Sequence, residues 1–252
     1  MSLLPERPGA MLLPCPPPLQ TMTTIAFALF PRITQLDFTG PHEVLWRLPG
    51  ARCVLASAAG GVIDADGGLR FDTQPLAAIE HADVLLVPGG FGVIAAMEDP
   101  VFVAQLQRLG ANARFVASVC TGSLALAAAG LLQGRRAACH WAWRDLLSTF
   151  DGVTPDPGRV VRDGHVFTGG GVTAGIDMAL ALMAELSGAA TAQAVQLGIE
   201  YAPAPPFDCG RPERADPAVV AAVTQRLEAL RPDRHAVAQR AAAALRAGRR
   251  AA

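Results

Sequence analysis

The 252-residue sequence contains no lysine; all 21 of its basic residues are arginines. That absence excludes a Schiff-base lysine, and with it ordinary pyridoxal phosphate chemistry. It also excludes the phosphate-binding lysine of a P-loop. An excess of either charge is missing too, since 21 basic residues face 22 acidic ones for a formal net charge of −1. Proteins that follow the phosphates of a nucleic acid carry a basic excess, so no nucleic-acid partner is expected. Aromatics are scarce at 6%, although apolar residues reach 51%. Ala, Leu and Val supply most of that share, and 25 glycines accompany them, a profile that suits helices packed on a parallel sheet. No apolar run is both long and helix-compatible enough to span a bilayer, so no membrane partner and a cytoplasmic location are expected.

Cysteine is sparse as well. Cys15, Cys53, Cys120, Cys139 and Cys209 are odd in number and widely spaced, with no C-x-x-C. A disulfide framework is therefore not expected. No His pair has metal-ligand spacing, so no metal site is expected either. The segment 1–21 is rich in proline around Cys15, which breaks any helix there. It lacks the basic start and unbroken apolar run of a signal peptide. The expectation is a disordered extension, or a misassigned start with Met22 as the true beginning.

From Thr23 onward the pattern is regular. Apolar runs over Thr24–Phe30, Arg52–Ser57, Ala82–Val87 and Arg114–Val119 read as buried strands. Glycines at Gly60-Gly61 and Gly67-Gly68 mark a hairpin, as does Asp163-Gly164 within Val160–Thr168. A further strand is expected at Arg136–Cys139. Helices are expected after Pro41 to Leu48, from Pro100 to Gly110, and over Leu124–Leu132, Gly175–Ser187 and Ala190–Tyr201. More helix follows from Pro217, broken at Pro232. Strand–helix alternation predicts an α/β fold, a doubly wound and mostly parallel sheet with helices on both faces. One domain is expected over residues 22–210, with residues 211–252 as helices packing on it or extending it.

Such sheets place sites beyond the carboxyl ends of their strands. Strand Arg114–Val119 runs directly into Cys120-Thr121-Gly122-Ser123, so Cys120 stands at a strand end and at a helix N-terminus. That position favours thiolate over thiol and predicts a lowered cysteine pKa. The alternative is a small buried hydrophobe, a common role for free cysteine. Cys53, inside a strand, and Cys139, beside one, read as structural. Gly89 and Gly90 follow a neighbouring strand and bring backbone close to any ligand. The N–H groups of Gly90 and Thr121 are candidates for a donor pair facing Cys120. Asp37 follows the first strand, either as an acid/base group or as an ordinary helix cap. His140 is a candidate substrate contact, or else a packing residue beside Trp141. The glycine run at 169–175 lacks the spacing of a dinucleotide loop, so no cofactor is expected there.

These segments resemble the ThiJ/PfpI branch of the class I glutamine amidotransferase-like superfamily, and within it the isocyanide hydratases. The resemblance is carried by Leu36-Asp-Phe-Thr-Gly-Pro-His42, Val87-Pro-Gly-Gly90, Ser118-Val-Cys-Thr-Gly-Ser123, Gly169-Gly-Gly-Val-Thr-Ala-Gly-Ile-Asp177 and Glu200-Tyr-Ala-Pro-Ala-Pro-Pro-Phe207. It implies Cys120 as nucleophile, Asp37 as general acid/base, Thr121 as a third catalytic residue, a homodimer, and no metal or organic cofactor. Where hydratase-like sequences carry Thr-Thr-His-Trp, this one has Ala138-Cys-His-Trp141. The implied reaction is hydration of a small-molecule isocyanide to an N-substituted formamide. Carbonyl-processing relatives of the glyoxalase-like kind, which use Glu and His beside the cysteine, stay open as an alternative, as does a ligand or oxidation sensor.

Overall fold

The structure is a computed structural model that describes residues 22–251. The segment 1–21 and Cys15 lie outside the described residues. Among the described residues, ten strands form one eight-stranded sheet and one two-stranded sheet. They are β1 (Thr23–Ala28), β2 (Ala51–Ser57), β3 (Gly61–Asp64), β4 (Arg70–Pro75), β5 (Val84–Val87), β6 (Phe115–Val119), β7 (Arg136–Ala137), β8 (Thr154–Pro155), β9 (Val160–Asp163) and β10 (Val166–Gly169). The large sheet has the order β3-β4-β2-β1-β5-β6-β10-β9. Its six central strands are parallel, and an antiparallel strand closes each edge. β5 and β6 are buried along their whole length, which explains why their sequences read as unbroken apolar runs.

From β1 the chain winds outward through β2 and β4, then crosses back to β5 and continues in the other direction. The reversal lies between β1 and β5. Loops diverge there, and they leave a crevice at the carboxyl ends of the strands. Asp37, Gly89-Gly90 and Cys120 follow β1, β5 and β6, three neighbouring strands. The fold class thus agrees with the sequence expectation.

Among the described residues, eight α-helices accompany the sheet: α1 (Leu36–Leu45), α2 (Val93–Glu98), α3 (Pro100–Asn112), α4 (Gly122–Ala128), α5 (Ala174–Ser187), α6 (Ala189–Gly198), α7 (Pro217–Leu230) and α8 (Arg234–Ala251). α1 packs on α5, and α5 on α6; α2, α4 and α8 pack together. α8 buries Val237, Ala238, Ala241 and Ala242, and its Arg240 pairs with Glu98 of α2 at 2.6 Å. α7 buries no residue fully.

Four local readings differ from expectation. α1 starts at Leu36, not after Pro41, because the N–H groups of Asp37, Phe38 and Thr39 already close a turn on Thr34 and Gln35. Pro41 therefore lies inside the helix and Asp37 lies in its first turn. α2 was not expected. α4 ends at Ala128, short of Leu132, since Gly130 turns left-handed at φ 74°. The strand at Arg136 stops at Ala137 and pairs with β8 in the small sheet.

Candidate active site

The backbone at Cys120 is left-handed, with φ 58°. Non-glycine residues seldom adopt this conformation, and where they do the surroundings must enforce it. Here the Cys120 N–H is fixed to the Gly169 carbonyl at 3.0 Å, and the Ser123 hydroxyl donates to the Cys120 carbonyl at 3.2 Å. Gly122 makes the corner possible, since a Cβ there would stand 2.2 Å from the Val87 carbonyl oxygen. The elbow holds the sulfur at the edge of the sheet in a nearly closed environment, where Cys120 is 5% exposed.

Asp37 is fully buried at 0% exposure. Its Oδ2 accepts the Gly89 N–H at 3.0 Å, while Oδ1 has no hydrogen-bond partner among the described residues. Burial raises the Asp37 pKa to about 7; the Cys120 thiol and the Gly89 N–H oppose that rise without cancelling it. The two side chains lie close enough to act on each other's ionisation: Cys120 pulls the Asp37 pKa down, and Asp37 pushes that of Cys120 up.

Cys120 departs from expectation. Burial pushes its thiol pKa well above the ordinary range, and the charges of Asp37 and Cys139 add to this, against the Thr121 N–H. The helix terminus does not win, because α4 has only seven residues and its field acts on a desolvated sulfur beside a carboxylate. The proton of the pair therefore rests on sulfur, and Asp37 is the group that titrates near neutrality.

Thr121 locks the floor. Its hydroxyl accepts from the Gly90 N–H at 3.0 Å and donates to the Gly90 carbonyl at 3.1 Å. The expected free donor pair is therefore halved: the Gly90 N–H is taken, and only the Thr121 N–H faces the sulfur. The Gly89 N–H is likewise committed, to Asp37 and not to a substrate. Both glycines are required by space. A Cβ on Gly89 would lie 2.5 Å from the Thr121 nitrogen and 2.7 Å from Asp37 Oδ2. One on Gly90, whose φ is 136°, would lie 2.5 Å from the Arg32 carbonyl oxygen.

Above this floor opens a cleft of about 190 Å³. Cys120, Thr121 and Gly90 form its base, and His140, Phe91 and Trp143 its sides. Thr34, Val172 and Leu227 complete the rim. His140 Nδ1 accepts the Ala142 N–H at 3.3 Å, which assigns the ring hydrogen to Nε2. Burial pulls the His140 pKa below its usual value, so the ring is neutral at pH 7. Sequence reading brought Cys120, Asp37, Thr121, Gly89, Gly90 and His140 to this place, and the structure gathers all six. It missed the apolar walls. Phe91 stands inside the Gly-Gly-Phe-Gly string and Trp143 two residues beyond Trp141, so both had a signal; Leu227, on α7, had none.

A profile of the DJ-1/PfpI family matches residues 23–185. The chain is similar to an isonitrile hydratase of Pseudomonas putida, with 50% identity over 224 residues that cover 88% of this chain and 97% of that protein. It is 34% identical over 169 residues to the HTH-type transcriptional regulator CdhR of Pseudomonas aeruginosa, matching 64% of this chain and 50% of the regulator. Among solved structures, a ThiJ/PfpI family protein from Pseudomonas syringae superposes with a TM-score of 0.83 at 36% identity, covering 92% of this chain and 98% of that one. The sheet order, the strained cysteine at the strand end and these matches lead to one assignment: the chain belongs to the DJ-1/PfpI family.

Proposed function

We propose that the protein is a cysteine-dependent hydratase that converts an isocyanide, R–N≡C, to an N-substituted formamide. The observation that carries this reading is the buried Asp37–Cys120 pair under an apolar cleft, in a chain 50% identical to an isonitrile hydratase. The reaction needs a nucleophile and one mobile proton, and the pair supplies both.

With Asp37 ionised and Cys120 a thiol, the sulfur attacks the terminal carbon while its proton passes to Asp37. Asp37 then delivers that proton to the same carbon, giving the thioimidate R–N=CH–S–Cys120. Asp37, again a carboxylate, takes a proton from water as the hydroxide oxygen adds to the carbon. The proton goes on to nitrogen. The C–S bond breaks, releasing R–NH–CHO, and the hydroxyl proton returns to sulfur. One isocyanide and one water are consumed, and the pair ends as it began. Thr121 is a positioning residue: its hydroxyl fixes Gly90, and its own N–H faces the sulfur. His140, neutral and with hydrogen on Nε2, is a donor for the adduct. The bond change needs no metal or organic cofactor. On this reading the working unit is a homodimer in the cytoplasm.

The test is formamide production from cyclohexyl isocyanide by wild type, Cys120→Ala and Asp37→Asn. Turnover by wild type and loss in both variants is the expected result. Substantial activity in Cys120→Ala would overturn the scheme. The match to a transcriptional regulator supplies a second reading, a ligand sensor; wild type without any turnover would favour it.

A further inference from the structure

Across a wall formed by His140 and Val172, a second cleft of about 220 Å³ adjoins the catalytic one. The two differ in chemistry. The catalytic cleft contains no formally charged side chain apart from what its floor supplies, whereas Arg144, Arg159 and Arg211 line the second, against the single acid Glu213. Arg159 is held by Asp177 and donates to the Thr173 hydroxyl at 3.2 Å. Counting Asp177 and Glu213, the cleft keeps an uncompensated positive charge. Arg211 spends one nitrogen on the Pro157 carbonyl at 2.8 Å and pairs with no carboxylate among the described residues. Arg144 has neither an ion pair nor a hydrogen bond there, yet it is half-buried and close enough to the buried Cys139 to act on its thiol.

A partly desolvated guanidinium without a partner is costly, and its planar fork matches a carboxylate in two parallel hydrogen bonds. The volume suits a carboxylate on a short carbon chain. We infer that this cleft is a carboxylate subsite, and that the isocyanides the enzyme prefers carry a carboxylate that reaches it past His140 while the isocyano carbon meets Cys120. The inference rests on the hydratase reading and names its substrate class.

The experiment compares ω-isocyano carboxylates of two to six methylenes with their methyl esters and with cyclohexyl isocyanide. Wild type, Arg144→Gln and Arg144→Glu are assayed, with thermal midpoints as a folding control. In wild type, the best acid should exceed its ester at least tenfold in kcat/KM, through KM. Arg144→Gln should reduce that ratio below threefold, and Arg144→Glu should bring it below one, an inversion that a purely structural arginine would not produce. Should Arg144→Glu fail to fold, Arg211→Gln replaces it, with the same drop in ratio expected. Excess butyrate should raise KM for the acid competitively. If butyrate instead changes kcat for cyclohexyl isocyanide, the cleft is an effector site and the substrate claim is overturned. Equal turnover of acid and ester by wild type, or a ratio that survives in the variants, also overturns it, with the hydratase reading intact. No turnover of any isocyanide overturns both.

Discussion

The floor of the catalytic cleft and its rim are built in opposite ways. Floor residues sit on strand ends and a helix start, are 0–5% exposed, and have almost every polar atom committed: Asp37 to Gly89, Thr121 to Gly90, Cys120 to Gly169. The rim includes Leu227 of α7, a helix with no fully buried residue. On the proposed reading, the chemistry would rest on closely bonded parts, and the R group of the substrate would meet a helix that is only lightly buried. Precision of geometry governs rate, whereas burial of an apolar group governs affinity.

The largest expected effect is on the floor and concerns stability. The folded pKa of Asp37 lies above its unfolded value near 3.8, so the protein is favoured while Asp37 is protonated, and loses stability as pH rises toward about 7. Asp37→Asn removes that loss. Between pH 4 and pH 8 the variant should gain on wild type by up to roughly 4 kcal/mol, read from denaturant unfolding at each pH. A pH-independent difference would mean that Asp37 is not the buried titrating group. Gly89→Ala should lower kcat/KM by about 100-fold, because its Cβ would displace either Asp37 Oδ2 or the Thr121 nitrogen. A near-normal rate in that variant would show that the floor yields and would erase the contrast with the rim. The pH profile sharpens the same point. Protonation of Asp37 blocks transfer from the thiol, so log kcat/KM should fall about one unit per pH unit below about pH 7. A limb near pH 4 would place the carboxyl in solvent. At the rim, Leu227→Ala should cost about 1 kcal/mol, roughly a fivefold rise in KM for cyclohexyl isocyanide with kcat kept. A fall in kcat would assign the rim a part in the chemistry.

The floor was more legible in the sequence than the rim, for a physical reason. Apolar runs that end in Gly-Gly and in Cys report local constraints: a buried strand must stop, and only certain residues make the corner. Alternation then gives a mostly parallel sheet, but the order of its strands, with the crossover from β4 to β5, was not read from the sequence. What local pattern does not encode is competition. Which acceptor takes the Gly90 N–H depends on a side chain 31 positions away. Whether a helix end or burial decides the cysteine depends on how much water the fold removes, and burial prevailed. Pro41 read as a helix start because its ring suits one, but a turn closed by residues before it had already begun α1. Leu227 reaches the site only through the docking of α7, for which a run of Ala, Val and Leu gives no direction.

The left-handed backbone at Cys120 has a consequence for how this sequence can drift. Glycine would relieve the backbone strain there, by an amount on the order of 1 kcal/mol, but would forfeit the burial of the Cys120 side chain. Valine, isoleucine and threonine fit it worst, so a hydroxyl nucleophile could be recruited there only as serine. On the proposed reading, Cys120→Gly would therefore trade turnover for a relaxed corner, and the strain at position 120 is a cost that the nucleophile imposes on the fold.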